Sequence, residues 1–124
     1  MSENTESIMY LTTIGGENPE KAAVPFVLAI AALATDIKAT IILQGNAVYL
    51  IKDEYRKTML PGGGFPHMAK LFTDFIELGG ELLVCGPCIK QRNIDVSELP
   101  EGSKISAAGQ VNIIALESDA VLVF

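Results

Sequence analysis

Two cysteines, Cys85 and Cys88, stand in the stretch Leu82-Leu83-Val84-Cys85-Gly86-Pro87-Cys88-Ile89-Lys90, so any sulfur chemistry of the chain must come from this one C-x-x-C pair. A thiolate attacks sulfur and binds metals, and two thiols at this spacing can close on one another as a disulfide. The apolar run ending at Cys85 reads as a buried strand, Gly86-Pro87 as the turn that stops it, and Pro87 as the opening of a short helix. Functional groups of open parallel sheets gather at that carboxyl edge, and a helix start favours thiolate over thiol. The plainer alternative is an inert pair, since cysteine also packs as a small hydrophobe. Zinc closure takes about four ligands. With no third cysteine and one histidine, a metal would need a second subunit, and none is expected.

Cys-Gly-Pro-Cys is also the tetrapeptide of thioredoxins. There it stands near the front of the domain and follows a tryptophan; here it begins at position 85, follows Val84, and the chain has no tryptophan. A second group of residues could assist the thiols. His67 is placed to act as a base or to face solvent at a helix start. The loop Pro61-Gly62-Gly63-Gly64-Phe65 could be a hinged lid, with Gly63 and Gly64 as hinge and Phe65 excluding water, or an ordinary surface connection. Lys90 and Arg92 could hold a sulfur anion or be solvated, and Thr12 and Thr13 could donate into the same crevice or cap the adjacent turn. The phosphate-loop pattern G-x-x-x-x-G-K-[ST] is absent, as are flavin, nucleotide and haem signatures, so no cofactor is expected.

The elements that must position these groups alternate along the chain. Strands are expected over 8–13, 39–43, 81–84, 103–108 and 120–124, and helices over 18–34, 67–78, 89–93 and 110–118. Asn18-Pro19-Glu20 is a helix start, with a cap, a proline and a favourable acid in order. Pro25 inside that helix implies a kink or a late start. The unbroken β-branched run Ala39 to Leu43 suits a parallel strand covered on both faces. Residues 67–78 carry apolar positions at helical spacing and end at Gly79-Gly80. Periodicity does not decide residues 47–51, and Met1 to Ser7 is polar and expected to fray. Strand and helix alternation implies parallel strands joined by right-handed crossovers.

Composition bounds the rest. The 124 residues are 49% hydrophobic and 19% charged, with 9 Lys+Arg against 15 Asp+Glu and a net charge of -6. An ordered domain with a core follows, and nucleic acid is an unsuitable partner without converging cations. The apolar run Ala22 to Ala34 is too short to cross ~30 Å of hydrocarbon, so no membrane span is expected. It lies too far inside the chain for a signal peptide, and a cytoplasmic location is expected, where thiols stay reduced. The nearly all-apolar first helix exceeds what one sheet can hide and points to self-association.

Taken in order, Leu11-Thr12-Thr13, Asn18-Pro19-Glu20-Lys21-Ala22, Leu43-Gln44-Gly45-Asn46-Ala47-Val48, and Gly79-Gly80-Glu81-Leu82-Leu83-Val84-Cys85 resemble the DsrE/DsrF-like family, related to the TusD sulfur-relay subunits. The resemblance spans nearly the whole chain, and Arg92-Asn93-Ile94 is similar to the Arg-Gly-Ile or Arg-Asn-Ile that follows the family's cysteine. It implies one α/β domain over 1–124, with a five-stranded, mostly parallel sheet between helices in three layers, flavodoxin-like in its DsrE form. It implies a persulfide acceptor at Cys85, making the protein a sulfur carrier or sulfurtransferase that meets donor and acceptor proteins, and a homo-oligomer, a trimer or hexamer. Cys88 has no counterpart there. The C-x-x-C by itself still allows a dithiol-disulfide oxidoreductase, and the acidic, cofactor-free composition a non-catalytic binding subunit.

Overall fold

Alternation of side chains along the strands decides how this chain divides its core. In the computed structural model, which describes residues 5–124, the strands are β1 (Ser7–Thr12), β2 (Lys38–Leu43), β3 (Glu81–Cys85), β4 (Ser103–Ser106) and β5 (Ala120–Val123). They form one parallel sheet in the order β4-β3-β2-β1-β5. Tyr10, Ile41, Leu43, Leu82 and Val84 point to a large cluster on one face. Their neighbours Met9, Ile42 and Leu83 point to a small cluster on the other, completed by Val111, Ile114 and Ala115.

Strand order explains this asymmetry. From β1 to β4 the chain moves in one direction, so right-handed crossovers lay α1 (Pro19–Ala34), α2 (Asp53–Thr58), α3 (Met68–Glu77) and α4 (Gly86–Gln91) on one side. The return from β4 to β5 crosses the whole sheet the other way. It therefore carries α5 (Ala108–Glu117) to the opposite side, where it is the helix that covers the small cluster.

Helix ends obey local rules. Asn18 caps α1 by accepting from the Lys21 amide at 3.1 Å. The helix begins at Pro19 and runs through Pro25 to Ala34, so the late start expected from that proline does not occur. At the end of α3, Gly79 takes φ +90°, which only glycine adopts cheaply; its amide donates to Ile76 and that of Gly80 to Phe75. Asp36 after α1 and Asn93 after α4 close their helices with the same bond pattern at φ +65° and +56°.

Two expectations change. Ser7 is not frayed, because it belongs to β1 and its amide donates to Asp119 Oδ2 at 2.8 Å. Met1 to Asn4 of that segment lie outside the described residues. Residues 47–51, undecided by periodicity, belong to a 3-10 helix, Gly45–Ile51, that buries Ala47, Val48, Leu50 and Ile51. It packs against α4 and the end of β3, which makes it a wall of the cysteine site.

Candidate functional site

Cys85 is the last residue of β3 and also the cap residue of α4, so its backbone is held by a ladder on one side and a helix on the other. β3 lies between β2 and β4, and Cys85 is in register with Ser106. Leu82, Leu83 and Val84 are buried, whereas Cys85 and Cys88 are both partly exposed free thiols. The strand thus delivers a sulfur from a sealed core to the rim of the sheet.

The two thiols stand three residues apart across the strand-to-helix junction, where the Cys88 side chain acts to raise the Cys85 thiol and the Cys88 amide acts to lower it. Cys88 Sγ also accepts from the Gly45 amide at 3.4 Å. Gly45 reaches this position at φ +53°, in the left-handed region that a side chain would strain. The loop after β2 therefore supplies a backbone donor to a thiol that follows β3.

Arg92 ties the same corner together. Its Nη2 and Nε donate to Asn46 Oδ1 at 3.1 and 3.3 Å, and its Nη1 donates to the Cys88 carbonyl at 3.2 Å. The guanidinium lies 5.9 Å from the Tyr49 ring centre, and Tyr49 stacks on Tyr55, which accepts from the Gly16 amide at 2.6 Å. A continuous layer of side chains runs from α4 across the ends of β2 and β1.

The expected depression of the Cys85 thiol does not hold. Burial, the largest effect, pushes it up, and the Cys88 side chain adds to this; the Cys88 amide and the Arg92 charge act in the opposite direction and do not overcome them. A helix start this short, beside a second sulfur, is a weaker influence than the partly apolar surroundings. Alkylation followed at the Cys85 peptide should therefore rise with pH through a midpoint above that of an ordinary thiol. Arg92→Ala should move that midpoint higher still, and a midpoint below the ordinary value would contradict the geometry.

The other residues singled out in the sequence divide between corner and scaffold. Arg92 belongs to the corner. Lys90 lines a cavity of about 340 Å³ with Gly86, Ile89, Ile94, Asp95, Val96 and Ile105, beginning directly beyond Cys85. Thr12 is buried and accepts from the Ile14 amide at 3.3 Å, while Thr13 Oγ1 donates to the Phe124 carbonyl at 3.3 Å. Both threonine hydroxyls serve the turn and the β1–β5 seam. Thr13 also sits 3.5 Å from where a Cβ on Gly45 would stand.

His67 caps α3: its Nδ1 accepts from the Ala69 amide at 3.1 Å, leaving Nε2–H to donate to the Met59 carbonyl at 2.7 Å. Both ring nitrogens are thereby engaged with backbone. The glycine loop rests on the start of α1, where a Cβ on Gly62 would stand 2.9 Å from the Glu20 amide nitrogen and one on Gly63 2.5 Å from Glu20 Cγ. Gly63 and Gly64 adopt positive φ, and Phe65 packs against the main core. Among the described residues, no cluster of three or more potential ligands could hold a metal ion.

With this geometry, likeness to known proteins becomes informative. A family model described as the DsrE/DsrF-like family matches residues 6–124. The chain belongs to that family. This DsrE/DsrF-like protein is 34% identical over 119 residues to an uncharacterized protein of Methanocaldococcus jannaschii, covering 94% of this chain and 100% of the relative. It is 28% identical over 122 residues to one of Methanopyrus kandleri, covering 96% and 97%. Its fold is similar to that of the ychN protein from E. coli, with a TM-score of 0.78 at 19% identity over 97% of this chain and 99% of that one.

Gly45, Asn46 and Tyr49 of the DsrE/DsrF-like chain are not among the site residues read from sequence, although Gly45 and Asn46 lie in the stretch Leu43-Gln44-Gly45-Asn46-Ala47-Val48 that carries the resemblance. A glycine followed by asparagine at a carboxyl edge is the signal that could have found the first two. A further cavity of about 320 Å³, lined by Ile14, Lys21, Val24 and Phe124, opens where strand order reverses between β1 and β5. It shares no lining residue with the cavity beside Cys85.

Proposed function

We propose that this protein handles sulfur, taking sulfane sulfur from a donor persulfide on Cys85 and passing it to an acceptor thiol. What carries the reading is the Cys85 sulfur, partly exposed at the end of an otherwise buried central strand and acted on by the Arg92 charge. Family membership supports it. In loading, the Cys85 thiolate attacks the terminal sulfur of a donor R–S–SH, a Cys85–S–SH forms, and R–S⁻ leaves. In unloading, an acceptor thiolate attacks that terminal sulfur and Cys85 departs as thiolate. No net oxidant or reductant is consumed. A thiol pushed upward supplies less thiolate, but each thiolate is a stronger nucleophile, so exchange remains effective above neutrality.

The donor and acceptor are proteins that meet the chain in a reducing cytoplasm. Among the described residues no helix is long and apolar enough to cross a membrane. Exposure to a low-molecular persulfide, quenched within seconds by an alkylating agent, should leave one added sulfur on the chain, removable by dithiothreitol; no added sulfur at the earliest times would remove the proposal. The C-x-x-C pair of partly exposed free thiols favours a second reading, a dithiol-disulfide oxidoreductase, which a glutathione titration that never yields the Cys85–Cys88 disulfide would exclude.

The carrier works as a homo-oligomer in this proposal. Ile113, Leu116, Val121, Leu122 and Val123 are exposed on α5 and β5, with Leu116 87% and Val123 70% accessible. That is an apolar edge a lone soluble chain would not normally leave open. Light scattering should give a mass that is a multiple of 13.2 kDa, and Leu116→Asp should lower it towards the single chain. A wild-type protein that is monomeric at tens of micromolar would contradict the assembly.

A further inference from the structure

The pairing of sulfurs carries a step beyond carriage, and it rests on the proposed loading of Cys85. Cys88 is not a spectator on a neighbouring turn. It stands three residues after Cys85, in the first turn of the helix that Cys85 caps, and its own sulfur accepts from the Gly45 amide at 3.4 Å. Its carbonyl is held by Arg92, which is fixed in turn by Asn46. The strand-to-helix turn and these two contacts, from Gly45 and Arg92, thus hold the second cysteine near the first. A cysteine serving only as core filler needs none of these polar contacts.

We infer that Cys88 resolves the Cys85 persulfide, so that the protein releases hydrogen sulfide as well as transferring sulfane sulfur. The Cys88 thiolate attacks the inner sulfur, Cys85 Sγ, and a Cys85–Cys88 disulfide bond forms. The Cys85 S–S bond to the terminal sulfur breaks, and HS⁻ leaves with the electron pair. The terminal sulfur is reduced from sulfane to sulfide by two electrons, and the two cysteine sulfurs are oxidised to the disulfide by the same two. One proton from the Cys88 thiol balances the charge as HS⁻ becomes H₂S. Two equivalents of a small thiol then return the disulfide to the dithiol, giving turnover with a thiol as reductant.

Attack on the inner rather than the terminal sulfur is what this arrangement favours. The inner sulfur is Cys85 Sγ itself, three residues from Cys88 across the cap of α4, and only attack on that atom closes the C-x-x-C disulfide, while the partial exposure of Cys85 leaves the terminal sulfur to external thiols. An external acceptor thiol meets the terminal sulfur first, and the internal thiol meets the inner one. The two fates of the loaded sulfur therefore compete, and the concentration of acceptor sets the division between them.

The test loads the full-length protein with glutathione persulfide, removes excess donor in the absence of thiol, and follows two quantities with time. These are sulfide released per sulfur loaded, and the fraction of chains carrying the Cys85–Cys88 disulfide by peptide mass. Wild type should release about one sulfide per loaded sulfur, with disulfide appearing in step. In Cys88→Ser the sulfide released per loaded sulfur should fall by about tenfold or more, because no internal thiol remains to displace it. Sulfide release that is equal in both proteins, or that proceeds without the disulfide, overturns the resolving step while leaving the carrier reading intact. Failure of both proteins to take up sulfur overturns the carrier reading and this step together.

Discussion

Replacing Cys85 with serine is expected to reduce persulfide uptake by about 100-fold or more, since a hydroxyl at neutral pH supplies neither the thiolate nor the polarisable nucleophile the exchange needs. The substitution is nearly isosteric, and the position is only partly buried, so the fold should survive and a change in activity can be read as chemistry. Cys88 should not substitute for it. Its sulfur is engaged by the Gly45 amide and stands one helical turn into α4 rather than at the strand end. Intact mass after exposure to a small persulfide and alkylation within seconds, compared between wild type and Cys85→Ser, is the measurement. Equal uptake would mean that sulfur enters elsewhere.

Phe26→Ala should be the most damaging change away from the cysteines. Phe26 is fully buried in α1 and meets two aromatic rings of α3, Phe72 at 5.9 Å and 34° and Phe75 at 5.8 Å in an edge-on arrangement. Truncation removes the transfer energy of the ring and leaves a cavity between helices that the backbone cannot close, a loss of about 3–5 kcal/mol. Small domains have only about 5–15 kcal/mol in total, so the thermal midpoint should fall by roughly 10 °C or more. The damage would spread, because Arg56 lies over the Phe72 ring at 4.0 Å while donating to the Leu50 carbonyl at 2.8 Å. That links the aromatic cluster to the 3-10 helix that forms one wall of the cysteine corner. Urea unfolding monitored by far-UV circular dichroism gives the number, and a loss under about 1 kcal/mol would contradict the packing.

What the sequence made legible follows the strength of local rules. Asn18-Pro19-Glu20 and Gly79-Gly80 marked helix boundaries because capping and left-handed closure need those residue types at those positions. Asn93 belongs with them. After α4 the chain must turn left-handed before burying Ile94, and asparagine and glycine are the residues that do so at low cost, which accounts physically for Asn93 between Arg92 and Ile94. The strands over 39–43 and 81–84 were plain from unbroken apolar runs.

Long-range contacts were not legible. Arg56 reads as part of a charged surface segment, yet burial against Phe72 lowers its affinity for a proton and makes it a core residue. His67 has the composition of a catalytic base, yet a cap bond and a bond to Met59 claim both nitrogens. The Gly45 donor to Cys88 joins residues 43 positions apart, and nothing in local spacing announces it. The upward displacement of the Cys85 thiol likewise depends on burial and a neighbouring sulfur, which a strand-end position alone does not reveal.

The central claim is that the sulfur of residue 85 is the atom that receives sulfur. It is tested most directly by loading the protein with a heavy-isotope persulfide, trapping with an alkylating agent within seconds, and mapping the label by peptide mass. The account predicts the heavy sulfur as an alkylated persulfide on Cys85 at the earliest time points, giving way to the Cys85–Cys88 disulfide. Label found first on Cys88, or on no cysteine while sulfide is still produced, would contradict it.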